Sequence, residues 1–169
     1  MQTKIGEAAA RGRPRSETVR LAVLMAVDDL LVEEGYEAMT MKGIAERAGV
    51  GRQTVYRWWS TKAEILYEAC VVDAGRDLAA GADDPGDLDA FRRRVAGFLA
   101  STDAGASYLA LLAAAQLDPA VATLMRGGDP VRAAACEALR AAPGDDPDDI
   151  DDAVAALLGP LVYAALTGP

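Results

Sequence analysis

The sequence predicts an all-α protein, and three observations carry that expectation. The hydrophobic share is 51%, much of it Ala and Leu, while aromatics are only 5%; long Ala/Leu/Glu/Arg segments with few β-branched runs favour helix over strand. Apolar residues recur at spacings of three and four, and no alternating pattern persists. Capping residues and prolines open these segments, and glycines close several of them. At 169 residues the chain can bury a core. It fits a small head on a larger body, with expected bounds of 1–15 for a flexible basic arm, 16–62 for the head and 63–169 for the body.

In the arm, Lys4, Arg11, Arg13 and Arg15 stand against one acid, Glu7. Gly12 and Pro14 break any helix there. The arm is either an ordinary solvated tail or a segment that lies along phosphates or enters a minor groove, with Arg13 and Arg15 nearest the folded unit.

Ser16 is the expected cap of the first helix, which runs to about residue 34 with Val23, Val27, Leu30 and Leu31 on one stripe. Gly35 supplies its stop. Thr40 caps a second helix over 41–48, with Met41, Ile44, Ala45 and Ala48 on one face. Gly49 stands where a left-handed residue belongs, and Val50 tucks under the turn. A third helix follows from Gly51, a weak cap, to Trp59. Val55 and Trp59 face the core, and Arg52, Gln53, Tyr56 and Arg57 face outward.

The fourth helix opens on a capping box at residues 61–64 and runs to about residue 80. The linker GADDPGD follows at 81–87. The body continues with helices over 88–101 (Phe91, Val95, Phe98 and Leu99 on a stripe) and 104–117. Asp118-Pro119 and Asp129-Pro130 each start a further helix, a cap with proline at the first helical position. An acidic loop, PGDDPDD, covers 143–149. The last helix, 150–166, is apolar nearly all round, so it is buried or lies in an interface.

The net charge of −9 hides a division. Residues 1–62 hold 10 Lys/Arg and 8 Asp/Glu, a net of +2, and residues 63–169 hold 7 and 18, a net of −11. A basic head on an acidic body suits a protein that touches phosphate at one end only. Residues 41–62 carry five bases (Lys42, Arg47, Arg52, Arg57, Lys62) and one acid, Glu46. Two short helices around a tight turn, with basic and aromatic residues on the second, read as a helix-turn-helix over 40–59 that enters DNA. Arg can bond bidentately to guanine and Gln to adenine in the major groove, while hydroxyls and Lys fix register on phosphate.

These residues resemble the DNA-binding motif of the TetR family of bacterial transcriptional regulators. The resemblance lies in IAERAGV at 44–50, Thr54-Val55-Tyr56, the pair Trp58-Trp59, and Thr61-Lys62 before the next helix. It runs from about residue 15 to 66 and continues weakly to LLGPLVYAALTGP at 157–169, which is similar to the end of the penultimate helix in many members. The resemblance implies a ligand-responsive regulator, a repressor, that binds a palindromic double-stranded operator as a homodimer and is released by an unknown small-molecule effector. By position, it implies that Thr40, Thr54, Tyr56 and Lys62 hold phosphate and that Lys42, Arg52, Gln53 and Arg57 reach bases. Trp59 matches a core position, and Trp58 is part core, part phosphate contact. Control is expected to pass through the fourth helix, because Lys62 lies in its first turn. Two departures stand out. Gly51 replaces a frequent serine, and the chain ends just after the helix that resembles the first of two in the dimer bundle, so either the interface is reduced or the sequence is incomplete.

For the body, Phe91, Phe98, Tyr108, Leu112, Gln116 and Met125 are candidate ligand-lining residues, set against plain core packing. Val154, Leu158, Leu161, Val162 and Ala165 are the candidate dimer interface. No cofactor, metal or enzymatic activity is expected: there is no His, Cys70 and Cys136 have no CxxC partner and read as buried free thiols, and no glycine-rich phosphate loop occurs. No apolar run is expected to reach the ~18 residues of a membrane span, and no secretory signal is seen, so the expected location is cytoplasmic. The rival reading is an all-helical interaction module whose basic hairpin grips an acidic protein.

Overall fold

The computed structural model describes residues 13–79, 86–143 and 149–168, with side chains from residue 17 onward except that of Ala79. Among the described residues there are nine α-helices and no strand. The chain divides into two compact units, Met1–Ile65 and Leu66–Pro169.

In the first unit, α1 (Arg13–Ala38) begins three residues ahead of the expected cap at Ser16. Pro14 falls in its first turn, where the missing N–H would have had no helical partner. Arg13 and Arg15 stand in the first turn of α1; residues 1–12 of the expected arm lie outside the described residues. Gly35 takes φ 78° and breaks α1 into two pieces. Helices α2 (Met41–Arg47) and α3 (Arg52–Tyr56) follow, α2 packing on both α1 and α3. Helix α3 is shorter than expected, because Trp58 N and Trp59 N both turn back to the Val55 carbonyl at 3.0 Å. The core of this unit is Val23, Val27 and Leu30 from α1 with Met39, Ile44, Ala45, Val55 and Trp59, all buried.

Helix α4 (Lys62–Ala79) starts in the first unit. Of the expected capping box, Glu64 N donates to Thr61 Oγ1 at 3.2 Å, while the Glu64 carboxylate accepts from Ser60 N, one residue ahead of the cap, at 2.7 Å. The second unit continues with α5 (Leu88–Ser101), α6 (Asp103–Ala115), α7 (Pro119–Gly128), α8 (Pro130–Ala141) and α9 (Ile150–Thr167). Helix α5 packs on α6, α8 and α9 through the expected stripe Phe91, Val95, Phe98 and Leu99, all buried. Asp118 and Asp129 cap α7 and α8 as expected, the latter accepting from Val131 N and Arg132 N at 2.9 Å each. Cys70 and Cys136 are buried, and among the described residues neither forms a disulfide.

Helices α5 and α6 meet at an 83° bend on one residue, Thr102. Its hydroxyl donates to the Phe98 carbonyl at 2.8 Å and accepts from Gly105 N at 2.9 Å. A Cβ at Gly105 would run into the Phe98 carbonyl oxygen, so only glycine permits this approach.

Helix α9 is the last helix of the second unit. At 18 residues it is long and apolar enough to cross a membrane by length and composition. Its only charges, Asp151 and Asp152, lie in the first turn, so the uncharged run that follows them is shorter than the helix. It packs on α5 and α8 through Val154, Leu157 and Leu158.

Candidate nucleic-acid interface

The candidate interface is built on α2, the turn, α3 and the first turn of α4. Thr40 is extended and its Oγ1 accepts from Gly43 N at 3.0 Å, so its hydroxyl starts α2. Gly49 takes φ 67°. Its N–H reaches the Glu46 carbonyl at 3.2 Å, and Val50 N reaches the Ala45 carbonyl at 3.0 Å, closing the helix end. Gly51 caps α3 with no side-chain bond. The first backbone N–H groups of α3 are thus left without a side-chain acceptor.

Val55 and Trp59 fix α3 from inside. Trp58 is half-buried, its ring 5.5 Å from that of Trp59. Arg52, Gln53, Tyr56 and Arg57 are left together on the exposed side, with Tyr56 at 55% exposure. Thr54 is half-buried beside them. Among the described residues neither Arg52 nor Arg57 makes an ion pair, so both guanidinium groups are available to an outside anion. Lys42 is exposed and pairs with Glu46, 3.6 Å away on the next turn, a pair worth little in water.

The other two bases are engaged inside the unit. Arg47 donates from Nη1 and Nη2 to Glu33 and lies 3.5 Å from Asp29, both on α1. The hydrogen bond from Arg47 holds the Glu33 carboxyl below its ordinary range, and the same bond raises the Arg47 guanidinium. Lys62 donates to the carbonyls of Tyr36 at 2.5 Å, Met39 at 3.1 Å and Glu37 at 3.3 Å. Its three donors are therefore used on the end of α1, whereas its position in the sequence implies a phosphate contact.

Two models of known families match. One, described as "Bacterial regulatory proteins, tetR family", covers residues 24–69; the other, "Tetracyclin repressor-like, C-terminal domain", covers residues 84–169, half of the chain. The chain belongs to the TetR family. Family members are transcriptional regulators and not enzymes. The chain is 39% identical over 116 residues to YdeS of Bacillus subtilis, an uncharacterized HTH-type transcriptional regulator, a match spanning 66% of this chain and 57% of that protein. It is 36% identical over 55 residues to the DNA-binding transcriptional repressor TetR of Mycobacteroides abscessus, spanning 32% of this chain and 29% of that one. Among solved structures, the TetR family transcription regulator SCO0332 superposes with a TM-score of 0.68 at 32% identity, over 88% of this chain and 86% of that one. Salmonella enterica GusR, at 18% identity, 94% and 85% coverage and a TM-score of 0.67, shares the fold.

The second unit of this TetR-family chain holds a cavity of about 570 Å³ lined from α4, α5, α7 and α8. Of the six candidate lining residues, only Phe91 borders it. Phe98, Tyr108 and Met125 are buried core; Tyr108 Oη donates to Asp129 Oδ2 at 2.9 Å. Leu112 is half-buried, and Gln116 is exposed with its amide donating to the Leu112 carbonyl at 3.3 Å. The sequence reading missed Val71, Ala74 and Leu78 of α4, and Arg94 of α5, which do line the cavity.

The structure places the expected dimer residues in two settings. Val154 and Leu158 are buried in the second unit against α5 and α8, and Leu161, Val162 and Ala165 are half-buried. The exposed side of α9 instead carries Ala155, Gly159, Tyr163 and Leu166, with Tyr163 70% and Leu166 59% exposed.

Proposed function

We propose that this chain is a ligand-responsive repressor that binds a palindromic duplex as a homodimer. The observation that carries the reading is the outer face of α3. Arg52, Gln53 and Arg57 are exposed and held in place by Val55 and Trp59, and neither arginine is paired within the described residues. Such a face fits base edges in a major groove, with Tyr56 and Thr54 toward phosphate. Residues 16–62 are the DNA-binding head in this reading and 63–169 the regulatory and dimerisation body. The repressor role takes support from the printed names of relatives in Mycobacteroides abscessus and Rhodococcus jostii, each called a transcriptional repressor. A cytoplasmic location follows from DNA as the partner.

In the dimer, the apolar outer side of α9 meets its counterpart, Tyr163 and Leu166 being large exposed side chains there. Helix α4 couples ligand to head: its first turn carries Lys62, and its later turns carry Val71, Ala74 and Leu78 of the cavity wall. A gel shift of the full chain with the duplex upstream of its own coding sequence, repeated at rising salt, tests the reading. A specific shift that weakens steeply with salt is expected, with a dimer by light scattering. A shift no different from that of a scrambled duplex at low salt would overturn it.

A further inference from the structure

The cavity of the second unit is apolar on most of its wall, with Val71, Ala74, Leu78 and Phe91 among its lining. Its charged lining residues are Arg94 and Glu137. They differ in one respect. Glu137 is exposed, so water screens it. Arg94 is half-buried and its Nε is buried with no hydrogen-bond partner. Among the described residues Arg94 makes no ion pair; its neighbour is the Phe91 ring, 5.7 Å from the guanidinium carbon. A buried N–H of a cation left without an acceptor is costly, and a planar guanidinium matches a carboxylate in a two-bond fork.

We infer that this cavity takes an amphipathic anion, a carboxylate with an apolar tail, whose head is held by Arg94 and whose tail lies against the α4 and α5 wall. The inference names the ligand class for the ligand-responsive reading above and rests on it. Phe91 holds the guanidinium in place through its ring face, and the small residues Ala74, Gly75, Ala134 and Ala138 leave room for the tail. A neutral ligand of the same shape would leave Arg94 Nε without its anionic acceptor. The carboxylate is therefore selected by its charge, and the apolar wall sets only the length and width of the tail.

The test is titration calorimetry of the full chain with decanoate and with decanol. Decanoate is expected to bind more tightly by roughly tenfold or more, and Arg94→Gln is expected to bring the two to equal affinity. Arg94→Lys, which keeps the charge but loses the fork, is expected to lose part of the preference; it also serves if Arg94→Gln does not fold. Equal affinities in the unaltered chain, binding of neither probe, or a preference untouched by either substitution would each overturn the inference. Duplex binding measured on the same samples without probe separates the two readings. Intact duplex binding with no decanoate preference overturns the anion site alone. A decanoate preference without specific duplex binding overturns the DNA reading alone.

Discussion

The Lys62 ammonium lies 2.5 Å from the carbonyl oxygen of Tyr36 and 4.3 Å from the centre of that residue's ring. With Met39 and Glu37 as further acceptors, it closes the carbonyl end of α1 from the first turn of α4. A cation at a helix C-terminus is stabilising there. Replacing it by methionine keeps the stem and removes the donors. Lys62→Met is expected to destabilise the first unit by about 1–3 kcal/mol, read by denaturant melts. It is also expected to weaken duplex binding without changing the slope of log affinity against log salt. A slope reduced by about one charge would instead show that Lys62 holds phosphate.

Tyr108 and Asp129 couple α6 to the start of α8. One carboxylate oxygen accepts from the buried phenol, and the other caps α8. Asp129→Ala removes the cap and strands the phenol, an expected loss of about 2–4 kcal/mol. Burial first, and then the Asp129 charge, push the Tyr108 hydroxyl well above its ordinary range. The unfolded chain therefore gives up this proton first. Stability from this site is full below about pH 10 and falls as pH rises further. Melting temperature followed from neutral to alkaline pH is expected to drop less in Tyr108→Phe than in the unaltered chain. Parallel curves would contradict the assignment.

Gly105 sets the bend between α5 and α6. Gly105→Ala is expected to cost about 1–3 kcal/mol, because the new methyl meets backbone and not a movable side chain. Gly97→Ala, in α5 with open space around it, serves as the control and is expected to be neutral or slightly stabilising. Equal melts for the two would refute the close approach.

Much of this fold could be read locally. Thr40, Asp87, Asp118 and Asp129 each cap a helix through bonds spanning two or three residues, and a cap is a local event. The outer face of α3 followed from Val55 and Trp59 four apart. What could not be read depended on distant partners. Arg47 meets Glu33 fourteen residues back, and Lys62 meets Tyr36 twenty-six back. Both looked like free bases in the sequence because nothing near them said otherwise. Arg94 was hidden in a run of three arginines, where the ordinary reading is a solvated face. In α9 the apolar residues surround the helix, so periodicity selects no inward side. Val154 and Leu158, expected at an interface, are buried where α9 packs on α5 and α8.

The central claim is that the exposed face of α3 reads base sequence. Its most direct test is fluorescence anisotropy of the full chain on its upstream duplex and on a scrambled duplex of equal length, at fixed salt. The unaltered chain is expected to prefer the upstream duplex by about a thousandfold or more. Arg52→Ala and Gln53→Ala are each expected to lose roughly tenfold of that preference while binding the scrambled duplex about as before. A preference unchanged in both variants, or absent from the unaltered chain, would contradict the claim.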